Sequence, residues 1–220
     1  MDGACTYEDF RGCLRSLGQV NRWLLGYRPT IAWLRRLPRG SGDPVQIVDV
    51  GSGGGDLLRQ IAGWARRRRI AVQLTGIDLS PHAARAAGES TPKELGITWV
   101  TGDALVYTPE KPIDIVVSSL TTHHLEDEEI VDLLRWMEKN ARVGWFISDL
   151  ERSRWSSRMF GWLASMAGWH RFVRHDGPVS FRRAFRKEDW VGLLAAAGVP
   201  MDAVTLERWR PGRLCVGRWK

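Results

Sequence analysis

The stretch VDVGSGGGD, Val48 to Asp56, decides how the rest of the chain is read. It ends a short β-branched run, VQIVDV (Val45 to Val50), suited to a buried strand, and it opens a helical stretch from Leu57 to Arg68. Glycines between such a strand and such a helix let the backbone come close to a ligand beside the positive end of the helix. A dinucleotide-binding turn would read GxGxxG or GxGxxA, but Asp56 stands at the last position. A carboxylate there sits badly against a pyrophosphate, and Asp49, two residues before Gly51, adds a second negative charge. Both departures favour a ligand with an amino group or a positive charge.

Working outward, strands are expected at Ala71 to Ile77, Ile97 to Val100, Ile113 to Ser119 and Trp145 to Ser148. Helices are expected at Pro81 to Gly88, Asp127 to Asn140 and Lys187 to Ala197. The tail adds Ala203 to Arg208 and Arg213 to Trp219, joined by a turn at Pro211–Gly212. Alternating strands and helices predict a parallel sheet covered on both faces, with antiparallel pairing added by the final hairpin. Before it, residues 6–38 read as amphipathic helices: Leu14, Leu17, Val20 and Leu24, then Ile31, Leu34 and Leu37, with Pro29 between. The cluster Pro38 to Pro44 is a loop.

Three acids then fall at three successive strand ends. Asp49 lies in the glycine turn, Asp78 in TGIDLS and Asp103 in TGDAL. An acid at the second strand end can accept both hydroxyls of a ribose, and one at the third can accept from an adenine amino group. The set resembles a class I S-adenosylmethionine-dependent methyltransferase over roughly residues 40–150 and 185–220. That resemblance implies a Rossmann-like methyltransferase sheet in one domain spanning 1–220. Residues 1–38 would form a helical cap, and 152–185 a substrate lid after the fifth strand. It also implies S-adenosylmethionine as cofactor, held by Asp49, Gly51, Gly53, Gly55, Asp78, Leu79, Asp103, Ala104 and Ser119. Arg28, in the cap, is expected to meet the methionine carboxylate.

The segment after the fourth strand separates methyltransferase types. It reads SSLTTHHLED, Ser118 to Asp127, without the Asn/Asp/Ser-Pro-Pro-aromatic tetrad of amino-directed nucleic-acid enzymes. The metal-dependent catechol type carries an acid at that strand end and an Asp-Asn pair after the next; Ser119 and Asp149–Leu150 stand there instead. Cys5, Cys13 and Cys215 are distant from the turn where a cytosine C5 enzyme needs its cysteine. A metal-free reaction is therefore expected. A phenolic acceptor has an ordinary pKa near 10 and benefits from a base. His124 and His123 are the candidates; the bland alternative is a histidine that caps the next helix.

The insert carries Trp155, Met159, Trp162, Met166, Trp169 and Val173 at helical spacing, followed by RHDGPVSFRRAF, Arg174 to Phe185. The pattern resembles bacterial small-molecule methyltransferases of polyketide and phenolic-lipid pathways. That implies Trp155, Met159, Trp162, His175 and Arg183 around a small aromatic or polyketide-like substrate. The expected reaction is O-methylation in secondary metabolism. C-methylation of a quinol or resorcinol lipid, nucleic-acid modification and non-catalytic cofactor binding stand as alternatives.

Charge bears on these classes. The 220 residues hold 32 Lys plus Arg against 25 Asp plus Glu, a formal net charge of +7, and 27 of the basic residues are arginine. Residues 46–150 are net negative, as suits a sulfonium ligand, whereas 1–45 and 151–220 are net positive. With the tetrad and cysteine signatures missing, the excess points to an acidic or membrane-near small molecule, or only to a genome rich in arginine codons. No apolar run approaches the roughly 20 residues of a membrane span. Asp2, Glu8 and Asp9 do not read as a signal peptide. Three cysteines without metal-like spacing suit a reducing compartment. A cytoplasmic protein is expected, with peripheral contact at the inner membrane face as one option and the oligomeric state open.

Overall fold

The apolar alternation is realised as a seven-stranded sheet in a computed structural model that describes residues 6–37, 42–152 and 183–220. Its strands are β1 (Val45–Val50), β2 (Val72–Asp78), β3 (Thr98–Thr101), β4 (Ile115–Ser119), β5 (Gly144–Leu150), β6 (Val204–Trp209) and β7 (Arg213–Trp219). They lie in the order β3-β2-β1-β4-β5-β7-β6. The first five are parallel; β7 runs antiparallel between β5 and β6, so the hairpin's first strand forms the edge. This is the Rossmann-like sheet with an antiparallel terminal hairpin that the sequence predicts.

The order reverses between β1 and β4, which pair directly through Val50 and Ser118. Both chains leave the sheet in opposite directions there, and the gap at their C-terminal ends is where open α/β sheets bind ligands. Helices α3 (Asp56–Arg68), α4 (Pro81–Ser90), α5 (Asp127–Asn140) and α6 (Lys187–Ala197) follow β1, β2, β4 and, after residues 153–182, β5. One apolar layer packs Leu57, Leu58, Ile61 and Trp64 of α3 beneath Ile47, Ile115 and Phe146. The other packs Ile130, Leu134 and Met137 of α5 with Trp190 and Leu194 of α6 over Val48, Val116 and Ile147.

The N-terminal segment forms α1 (Tyr7–Trp23) and α2 (Arg28–Leu34). Thr6 caps α1, its hydroxyl accepting from the Asp9 N–H at 3.2 Å. Helical spacing placed Leu14, Leu17 and Val20 on one apolar face, but only Val20 is buried in the core. Leu14 and Leu17 face the crevice above the glycine turn, so α1 covers that crevice. Its outer end is fastened to α4, where the Tyr7 hydroxyl donates to Glu89 at 2.6 Å and Arg85 lies 4.0 Å over the Tyr7 ring. No helix among the described residues is long and apolar enough to cross a membrane.

Candidate functional site

At the end of β1 the chain turns through Gly51 and Gly53, both with positive φ (72° and 50°). The N–H groups of Gly51 and Ser52 donate to the Ile77 carbonyl at 2.9 and 3.1 Å, tying the turn to β2. A side chain at Gly51 would fall on Thr121, and one at Gly55 on the Trp99 ring. At Gly53 the nearest neighbour is Leu14, 3.6 Å from a built Cβ. Gly53 therefore opens into the crevice, whereas Gly55 is needed for close packing. Gly55, expected at the ligand, lines neither cavity of the crevice, whereas the preceding Gly54 lines the smaller one.

Two connected cavities of about 230 and 430 Å³ make up that crevice, sharing Gly51, Gly53, Asp78, Thr121 and His124. Asp49 and Ser119 line the smaller one; Leu79, Asp103 and Ala104 line the larger. Asp49 is 1% exposed, and its Oδ1 has no hydrogen-bond partner. Burial, and secondarily the Asp78 carboxylate, push its pKa well above the usual range. Asp78 accepts from the Gly53 N–H through Oδ2 and from the Ser80 N–H through Oδ1, each at 2.9 Å. Burial raises its pKa, and those two bonds oppose the rise. Asp103 is exposed and accepts from the Leu105 N–H at 2.9 Å, while Leu79, 71% exposed, projects beside it.

Across the switch point, the residues after β4 divide their labour. Thr122 to His124 form a single 3₁₀ turn. The His123 ring is buried and its Nδ1 lies 2.7 Å from Asp149 Oδ1. The Thr122 hydroxyl and the His123 N–H both donate to Asp149 Oδ2, and the Leu150 N–H donates to Oδ1 at 2.7 Å. Burial alone would raise this carboxyl, but the histidine charge and these donors outweigh it and hold it far below the usual carboxylate range. With Asp149 accepting at Nδ1, His123 keeps one tautomer and one orientation. His124 is exposed, its ring centroid 4.1 Å from that of His123. The helix cap foreseen for a histidine belongs instead to Glu126, whose N–H donates to the Glu129 carboxylate at 2.8 Å.

A third cavity of about 930 Å³ adjoins this turn and is lined by His123, His124, Arg152, Arg183 and Phe185. His124 lines all three cavities. Of the residues expected around a substrate, Arg183 lines this cavity, whereas Trp155, Met159, Trp162 and His175 lie outside the described residues. Arg28 is elsewhere: it lines a groove beside Arg35 and Trp209, so its expected meeting with a methionine carboxylate is corrected. Arg28 is exposed at the start of α2.

Sequence reading missed Asp149 as a partner of His123, and it missed Arg213 entirely. Arg213 of β7 is 6% exposed. It donates through Nη2 to Asn21 Oδ1 at 2.6 Å and through Nη1 to the Ser148 carbonyl at 3.2 Å. It thereby joins the cover helix α1 to the end of β5. Burial depresses its pKa, against the pull of Asp149. Asn21 and Tyr27 also line the smaller cavity, where the Tyr27 hydroxyl is buried without a partner. A single charge inside each of two apolar strand runs, SDL and RLCVG, was the available signal.

Residues 47–144 match the family described as a methyltransferase domain. A trans-aconitate 2-methyltransferase from Streptomyces coelicolor is 27% identical over 205 residues, covering 87% of this chain and 64% of that protein. A ubiquinone biosynthesis O-methyltransferase from Albidiferax ferrireducens is 30% identical over 158 residues, covering 69% of this chain and 56% of that one. The chain thus spans less than two thirds of the length of these curated relatives. Among solved structures, the plantazolicin methyltransferase BpumL, in complex with a pentazolic desmethylPZN analog and SAH, superposes with a TM-score of 0.64 at 17% identity. The match covers 91% of this chain and 84% of that one, and shares the fold.

Proposed function

We propose that this chain, whose residues 47–144 match the methyltransferase-domain family, transfers a methyl group from S-adenosylmethionine to an oxygen of a small phenolic or polyketide-type molecule. We read 1–220 as one catalytic domain and the reaction as metal-free. The fit of the donor is tested by Asp49, a buried carboxylate with an unsatisfied oxygen. Such a group calls for a cation. The ammonium of an amino-acid end supplies one, and a pyrophosphate would not. Asp78 presents a carboxylate already anchored by two backbone N–H groups, with lone pairs left for two ribose hydroxyls. Leu79, Asp103 and Ala104 offer an apolar and acceptor-bearing wall for an adenine.

When bound, S-adenosylmethionine supplies an electrophilic methyl group on a positively charged sulfur. The chain's contribution is alignment and handling of one proton. His124, shared by the donor crevice and the third cavity, takes the proton from a hydroxyl held in that cavity. His123 is the positioning residue: Asp149 fixes its ring, and that ring backs His124. The observation that carries the reading is the placing of His124 at the junction of all three cavities. The O-methyltransferase relative and the absence of an amine-directing tetrad support oxygen as the acceptor.

The test is a panel of phenols and polyketide phenols incubated with labelled S-adenosylmethionine and a chelator. Labelled ether product is expected, and His124→Ala should abolish most of it while S-adenosylhomocysteine binding persists. Measurable donor binding with no labelled product from any phenol would sink the acceptor assignment. Label on ring carbon would transfer it to C-methylation.

A further inference from the structure

We propose that the outer face of α1 and α2, with the adjoining end of α3, is a docking surface for an anionic lipid membrane. It rests on surface chemistry alone and is independent of the acceptor assigned above. Arg22, Arg28, Arg35 and Arg67 wall a groove of about 340 Å³ with Ile31, Ala32 and Trp209. All four are exposed. Neighbouring arginines are neutralised, Arg11 by Glu89 and Arg59 by Asp56. The four groove arginines have no carboxylate partner among the described residues. The face thus gathers four exposed arginines without a salt bridge among the described residues, three of them on or at the end of the helices that cover the donor crevice.

Two large apolar side chains project from the turn between those helices. Trp23 is 72% exposed and Leu25 51% exposed, and Arg22 and Arg28 bracket them. Leu25 has φ 54°, a conformation that L-residues other than glycine, asparagine and aspartate rarely adopt. Neither burial nor backbone preference accounts for a leucine there. A bilayer surface accommodates both the exposed side chains and the charge beside them. An indole and a leucyl group enter the boundary between headgroups and acyl chains, while arginines meet anionic headgroups. A nucleic-acid groove would use the arginines but has no apolar layer to receive Leu25.

Sedimentation of the full chain with phosphatidylglycerol–phosphatidylcholine vesicles at low salt tests this. Binding to the anionic vesicles is expected, with loss at high salt and no binding to phosphatidylcholine alone. Replacing Arg22, Arg35 and Arg67 together by Ala should lower the partition coefficient about a hundredfold, at about fivefold per arginine. Trp23→Ala with Leu25→Gly should lower it about tenfold; glycine suits the φ of that position. Both variants should bind S-adenosylhomocysteine as the parent does, which shows that they are folded. No binding to anionic vesicles, or unchanged binding by the triple variant, overturns the proposal. RNA binding that the triple variant loses, without vesicle binding, overturns it in favour of nucleic acid.

Discussion

The two sides of the switch point hold their functional groups by different means. On the donor side, Asp49, Gly53, Asp78 and Asp103 sit within a few residues of a strand end. Their contacts are to backbone within the same crevice, such as Asp78 with the N–H groups of Gly53 and Ser80. On the acceptor side, His123 depends on Asp149, 26 residues away, and Arg213 reaches Asn21, 192 residues away. The first side leaves a buried carboxylate oxygen unsatisfied; the second satisfies every oxygen of its buried carboxylate. An unsatisfied site waits for a ligand, whereas a satisfied one holds a side chain in place. The teaching is that two carboxylates of equal burial, Asp49 and Asp149, have opposite pKa shifts because only Asp149 has a histidine and hydrogen-bond donors around it.

The sharpest way to break this contrast is Asp149→Ala. It strands the His123 ring, the Thr122 hydroxyl and two backbone N–H groups in the interior. Leaving a buried donor without its acceptor costs about 1–3 kcal/mol, and four donors lose theirs here. For a chain of this length the melting temperature should fall by about 10 °C or more, measured by calorimetry. A variant melting with the parent would show that the pair does not hold this side together. Next in size, His124→Ala should lower kcat about a hundredfold while donor affinity and melting temperature stay near the parental values. His123→Ala should lower both rate and melting temperature, and the reverse pattern would exchange their roles.

Two substitutions probe the donor side. Asp78→Ala removes an acceptor already fixed by two N–H groups, and calorimetric titration should show S-adenosylhomocysteine binding weakened about thirtyfold. Asp49→Asn is expected to weaken donor binding about tenfold yet raise the melting temperature of the ligand-free protein by a few degrees. The sign follows from burial: the folded pKa lies above the unfolded value of about 4, so the ionised form works against folding at neutral pH. The stability gap between variant and parent should close as pH falls to about 4 and open as pH rises through the folded pKa. A variant less stable than its parent at pH 7 would mean that Asp49 has a partner in the ligand-free state.

Much of the donor side was legible because its determinants are local. A β-branched run, a glycine turn and a helix within some two dozen residues can only be a strand–turn–helix, and spacing then places Asp78 and Asp103. The helices Asp127–Asn140 and Lys187–Ala197 were likewise readable from periodicity and acidic first turns. Gly55 and Arg28 show the limit. Both lie within segments that resemble a cofactor motif, yet Gly55 is dictated by the Trp99 ring from β3, and Arg28 points from α2 into the outer groove. Which way a side chain points from a correctly assigned element depends on what packs against that element.

Sequence by itself determined the order of strands and helices, the glycine turn and the acids at strand ends. Each of these follows from backbone preferences and periodicity over short windows. Tertiary structure alone decided which of two consecutive histidines is buried. It joined Asp149 to one and left the other at the meeting of three cavities. It also decided that Arg213 ties the cover helix to the sheet while Arg22, Arg28 and Arg35 line one groove without a salt-bridge partner among the described residues. The physical reason is common to all of these: pairing and desolvation of charge depend on through-space distance, which is set only when β7, β5 and α1 come together at the end of the sheet.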